Sequence, residues 1–94
     1  MEEKIKNILF DALKEIGEEL EIEVLKQVDE GTDIYDNLDS MALLDFILEV
    51  EDGLQKEFGR YIQIADETTM DAELTSLKNI DSAIEMILAK VQNG

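Results

Sequence analysis

Three stretches of this chain carry apolar residues at every third and fourth position, and no proline occurs anywhere to interrupt them. Ile5, Ile8, Leu9, Ala12, Leu13 and Ile16 make the first stripe. Leu43, Phe46, Ile47, Val50 and Leu54 make the second, and Ile80, Ala83, Ile84, Ile87, Leu88 and Val91 the third. Each stripe is one face of an α-helix, and a helix buries such a face only by packing against another element. The spacing predicts a first helix with Glu2 and Glu3 in its opening turn, where carboxylates suit the dipole. Gly17 is its expected stop, with Glu18–Leu20 as an extension. A second helix is predicted from Ser40 to Phe58 with Asp39 as N-cap. Gly53 weakens its last turns by ~1 kcal/mol relative to alanine. A short helix is expected from near Asp66, and a final one starting at Asn79 or Asp81.

The fold expected is therefore all-α. It is a small four-helix bundle with a long loop between helices 1 and 2 and a short third helix, residues 1–94 forming a single domain. Its core should include Ile5, Leu9, Leu13, Phe46, Val50, Leu54, Ile80, Ile84 and Ile87. Between Glu18 and Asp39 the pattern is mixed. Leu20, Ile22 and Val24 alternate, while Leu25 and Val28 suggest a helical turn, and periodicity does not choose between them. The turn formers Asp29-Glu30-Gly31-Thr32-Asp33 follow, and Ile34, Tyr35 and Leu38 are read as pins that fix this loop to the core.

Charge restricts function more than fold. Twenty-four carboxylates against eight Lys and Arg leave a net charge of −16. Nucleic acid and anionic lipid are poor partners for such a chain, since binding them relies on clustered cations. Cysteine and histidine are absent. Disulfides, Cys/His zinc sites and every Ser–His or Cys–His relay go with them. The loop at Asp29 fails as an EF-hand, because Ile34 stands where that loop needs glycine and Ser40 where it needs glutamate. No Walker or Rossmann glycine pattern occurs. Catalysis by a carboxylate pair needs a pocket that shifts a pKa, for which so short a chain has little material. We expect no enzyme and no dedicated metal site, only loose binding of Ca²⁺ or Mg²⁺ by surface carboxylates. No apolar run reaches the roughly 20 residues of a membrane span, and Met1-Glu2-Glu3-Lys4 does not read as a signal peptide. A cytoplasmic, monomeric protein is the expectation.

The most informative positions surround Ser40. On a helical wheel with Ser40 at zero, the core stripe lies at about 240–340° and Asp45, Glu49 and Asp52 at about 120–180°. Met41, Leu44 and Leu48 fall between, at about 40–100°, off the main stripe and beside Ser40. Asp-Ser at a helix start is also a common capping pattern, so the pair alone specifies nothing more than a cap. A helix N-terminus does accept an anion readily, through its unpaired N–H groups and its dipole.

Leu38-Asp39-Ser40-Met41, on a long acidic helix ending Glu57-Phe58-Gly59, resembles the attachment segment of acyl carrier proteins and their peptidyl and D-alanyl relatives. The similarity extends over the whole chain, from the long first helix and its loop to the final amphipathic helix. It implies a discrete carrier with the acyl-carrier type of bundle. It implies that Ser40 is esterified with 4′-phosphopantetheine, taken from coenzyme A by a phosphopantetheinyl transferase. Asp39 would then help to position the Mg²⁺–coenzyme A complex during transfer. Ser40 is an acceptor in this reading, and cargo rides as a thioester on the arm's thiol, which suits a chain without cysteine.

Met41, Leu44, Asp45, Leu48, Glu49, Glu51 and Asp52 are the candidate partner-binding residues. The enzymes expected to dock there are acyl-activating, condensing or acyl-transfer enzymes with basic surfaces. From Asp29 to Glu57 there are ten carboxylates and one lysine, Lys56, a bias suited to steering such partners. Asn37 and Leu38 stand where many fatty-acid carriers have Gly-Ala or a similar pair. The second helix looks about one turn longer than theirs, and 60–79 is long as well. These departures favour a specialised pathway over housekeeping fatty-acid synthesis. The Leu-Asp-Ser-Met run also resembles D-alanyl carriers, although Ala42 replaces their usual glycine. An aminoacyl carrier, D-alanyl or peptidyl, is one alternative. An unmodified acidic helical interaction module is the other.

Overall fold

A computed structural model describes residues 2–29, 31–71 and 73–93. Glu30, one of the carboxylates of the acidic stretch, lies outside them. The described residues form an all-helical fold without strands. Its α-helices are α1 (Glu2–Glu19), α2 (Ser40–Phe58) and α3 (Ile80–Asn93), with two 3₁₀ turns, Glu23–Leu25 and Tyr35–Asn37, between α1 and α2.

Helix α1 buries Ile5, Leu9, Ala12, Leu13 and Ile16, the stripe read from its sequence. It does not stop at Gly17. That glycine is buried because Leu25 packs directly on it, and a Cβ there would lie 2.7 Å from the Leu25 Cβ. The helix ends two residues later, where the Ile22 N–H donates to Gly17 O at 2.8 Å around a left-handed Glu21 (φ 56°). The undecided stretch is thus a helix exit followed by a 3₁₀ turn, with Leu25 fully buried.

Helix α2 runs antiparallel to α1. Lys4 pairs with Glu57 at 3.0 Å near one end. Next along the seam, a Cβ on Gly53 would stand 2.9 Å from Ile8 Cγ2. Gly53 therefore permits close approach of the two helices, and α2 continues through it to a left-handed C-cap at Gly59. Helix α3 starts with a reciprocal cap. The Asn79 side chain accepts from Ser82 N–H at 2.9 Å, and Ser82 Oγ accepts from Asn79 N–H at 3.3 Å. Leu25, Ile34 and Phe46 join the α1 and α3 stripes in one core. Of the expected core residues only Ile84 differs, being half-buried at the α1–α3 edge.

The expected short helix near Asp66 does not form, so the four-helix count is corrected to three α-helices among the described residues. Asp66 Oδ1 accepts from the Thr68 N–H at 2.8 Å and the Thr68 hydroxyl at 2.6 Å, while Thr69 Oγ1 accepts from the Asp66 N–H. This resembles a helix start, but Asp71 begins a second turn by accepting from the Glu73 N–H at 2.9 Å. Side chains that bond nearby backbone compete with helix propagation, and here they leave two consecutive turns. Before them, residues 61–65 form no regular element, with Ile62 and Ile64 buried and Tyr61 and Gln63 exposed.

Candidate functional site

Ser40 is the first residue of α2 and its side chain is exposed. Asp39 precedes it in extended conformation, and its Oδ1 accepts from the Ala42 N–H at 2.9 Å. Its carbonyl accepts from the Leu43 N–H at 2.8 Å. The aspartate thus caps the helix and remains exposed beside the serine.

Three buried side chains fix this helix start: Leu38 before it, and Ala42 and Leu43 after it. The loop leading in is anchored as well. Ile34 is fully buried, and its N–H donates to Lys78 O at 2.7 Å. The Tyr35 N–H donates to Leu77 O at 3.1 Å, and Asn37 Nδ2 to Asp33 O at 2.7 Å. A hydroxyl on an exposed helix tip, set on a pinned loop, is open to a second protein.

Met41, Leu44 and Leu48 are 78%, 50% and 64% exposed, in one row down the helix from Ser40. Asp45, Glu49 and Asp52 are exposed beside them. Asp52 pairs with Lys56 at 3.0 Å, and this hydrogen bond raises the Lys56 pKa. Glu49 and Glu15 line one shallow groove between α2 and α1, with Asp11, Asp52 and Lys56. Partial burial first, and then the Glu15 carboxylate, push the Glu49 pKa above the ordinary glutamate value.

Glu51 departs from the exposed set expected of it. It is 7% exposed, and its carboxylate accepts from the Ile64 N–H at 2.9 Å and the Tyr61 hydroxyl at 3.1 Å. It ties residues 61–64 to α2, and the bond to Glu51 raises the Tyr61 pKa. The wheel held the signal, since Glu51 falls at about 20°, beside the core stripe and far from Asp45, Glu49 and Asp52. Sequence reasoning also missed the exposed apolar side chains of Leu20, Tyr61, Met70 and Leu74. Those four positions follow no helical period that would have flagged them.

Among the described residues no group of three or more carboxylates stands close enough to hold a metal ion, and no helix is long and apolar enough to cross a membrane. No family model, curated protein or solved structure matches the chain.

Proposed function

We propose that the chain is a non-enzymatic acyl carrier, holding acyl groups as thioesters on a 4′-phosphopantetheine arm attached to Ser40. It would present them to partner enzymes of fatty-acid, polyketide or related specialised biosynthesis in the cytoplasm. The observation that carries this reading is the exposed Ser40 hydroxyl at the tip of α2, between a capping aspartate and an exposed apolar row.

The residues fit the group. The early N–H groups of α2 precede any intrahelical acceptor, and Asp39 engages that of Ala42. Those of Ser40 and Met41 stand at the positive end of the helix dipole, where a phosphodiester is tolerated despite the acidic surroundings. Attachment forms the bond from Ser40 Oγ to phosphorus and breaks the pyrophosphate bond of coenzyme A. The adenosine bisphosphate half leaves, and the hydroxyl proton passes to a base on the transferase. Asp39 would support the Mg²⁺–coenzyme A complex with the carboxylate oxygen that does not cap. The arm supplies the thiol that this chain lacks. Met41, Leu44 and Leu48, flanked by Asp45, Glu49 and Asp52, offer a docking row to an enzyme with apolar contacts ringed by Arg and Lys.

The test is intact mass after incubation with coenzyme A, Mg²⁺ and a broad-specificity transferase. Gain of one phosphopantetheine by the wild type and none by Ser40→Ala is expected. A wild-type chain that gains nothing overturns the reading in favour of an unmodified acidic interaction module. One observation favours that second reading: capping by Asp39 already accounts for an Asp-Ser pair here. An aminoacyl cargo, D-alanyl or peptidyl, is separated from an acyl one by offering the loaded chain to aminoacyl- and acyl-activating enzymes.

A further inference from the structure

The loop before Ser40 is bound to distant chain by hydrogen bonds that end on one side chain. The backbone of Ile34 and Tyr35 pairs with Lys78 and Leu77. Beyond that pairing, the Tyr35 hydroxyl donates to Met70 O at 2.7 Å, across 35 residues of sequence. Among the described residues, the other hydrogen bonds of 66–71 and 73–74 run within these turns and to Thr75, through Asp66 and Asp71. Among the described residues, the Tyr35 hydroxyl makes the one hydrogen bond that joins these turns to the loop leading into α2. The turns also leave the apolar side chains of Met70 and Leu74 exposed.

We infer that Tyr35 is a positioning residue for the transfer proposed at Ser40. Its hydroxyl clasps the 66–74 turns to the loop that presents the acceptor. A docking enzyme then meets both as one preformed surface, with Met70 and Leu74 held in place rather than ordered on contact. This inference rests on the carrier reading and adds to it a determinant outside α2. The clasp touches neither the acceptor hydroxyl nor the coenzyme, so its loss acts on docking. Binding that must first order a loose segment is weaker, and a loss common to ground and transition states raises KM while kcat stays.

The experiment compares the full-length wild type, Tyr35→Phe and Arg60→Met as substrates of the same transferase. Arg60 caps the α3 end by donating to Val91 O, and it follows the far end of α2, about 27 Å along the helix from Ser40. It therefore reports what destabilisation alone does. Backbone hydrogen exchange is measured in parallel. Tyr35→Phe is expected to speed exchange in 66–74 and to raise the KM for the carrier about three- to tenfold at unchanged kcat. Arg60→Met, with an equal or larger drop in midpoint temperature, should keep KM within about twofold. Unchanged exchange in 66–74 removes the clasp, whatever the kinetics. A wild-type KM in Tyr35→Phe, or an equal rise in Arg60→Met, removes the positioning role while leaving the carrier reading intact. A wild-type chain that accepts no phosphopantetheine takes down both.

Discussion

Glu21 carries the one positive φ of a non-glycine residue among those described, 56°. The left-handed conformation costs an L residue roughly 1 kcal/mol, which glycine does not incur. Glu21→Gly is therefore expected to stabilise the fold by up to about 1 kcal/mol, measured by urea denaturation. Glu21→Gln removes the same charge and keeps the strained backbone, so it should give clearly less. Equal gains would assign the effect to charge. Glu51 is the opposite case, a carboxylate the fold depends on. Glu51→Met keeps roughly the volume but offers no oxygen to either donor, Ile64 N–H or Tyr61 O–H. A loss of about 1–3 kcal/mol in urea denaturation is expected, the range for a buried donor left without an acceptor. Tyr61→Phe, which releases a largely exposed hydroxyl, should cost under about 1 kcal/mol. Comparable losses would mean that Ile64 N–H finds another acceptor. Neither feature is visible at the level of residue type. Glu51 reads as one more acidic residue until its wheel angle is considered, and Glu21 as an ordinary glutamate until α1 proves to overrun Gly17.

At the scale of elements, the three long helices were legible because each repeats an apolar stripe over about three turns, and both ends of α2 carry their own signals, Asp39 and Gly59. The short helix was misread because Asp66-Glu67-Thr68-Thr69 has the composition of a helix start, while the competing turn at Asp71 is set by contacts a propensity does not include. The glycines misled in a similar way: Gly17 read as a stop and Gly53 as a weak point, and both serve as points of close approach. Of the candidate site, the Asp39 cap, Ser40 at the helix start and the row lying off the core stripe were legible. Its tie to Met70 was not, since a hydrogen bond across 35 residues leaves no local pattern. The α1–α2 seam carries a prediction of its own. Its Lys4–Glu57 end is an ion pair, whereas Glu49 faces Glu15 and Glu19 on α1 and shares its own helix with Asp52 and Lys56. The Glu49 pKa lies above its ordinary value in the folded state, so at pH between the unfolded and folded values the folded chain keeps a proton that the unfolded chain has released. Stability from this group is thus present at acid pH and lost as pH rises through the raised pKa. At neutral pH Glu49→Gln should melt higher than wild type. The difference should shrink as pH falls through the glutamate range, and a gap that stays constant with pH would refute the seam repulsion.

The whole molecule repeats that seam on a larger scale. A net charge of −16 is confined to a globule with a Cα radius of gyration of 12.1 Å. Folding brings carboxylates to distances comparable with the roughly 8–10 Å Debye length of ordinary buffers, so their mutual repulsion opposes the compact state. Few cations offset it, and the ion pairs Lys4–Glu57, Lys26–Glu23 and Lys56–Asp52 all involve exposed side chains of little individual worth. The midpoint temperature should therefore rise with added NaCl, and further with Mg²⁺ or Ca²⁺, whose double charge concentrates them near the surface. No group of three or more carboxylates is gathered into a metal site among the described residues, so that rise should be gradual in calorimetry titrated from micromolar to millimolar cation. A midpoint indifferent to both salts would remove self-repulsion as the limit on stability. A sharp plateau at one equivalent of Mg²⁺ would replace diffuse screening with a specific site. Diffuse screening has a functional counterpart under the carrier reading. The same salt that stabilises the free chain weakens its attraction to a basic partner, so transferase KM should rise with ionic strength while the folded fraction rises too. Opposite trends in the two measurements, made on one preparation, separate electrostatic docking from a loss of folded protein.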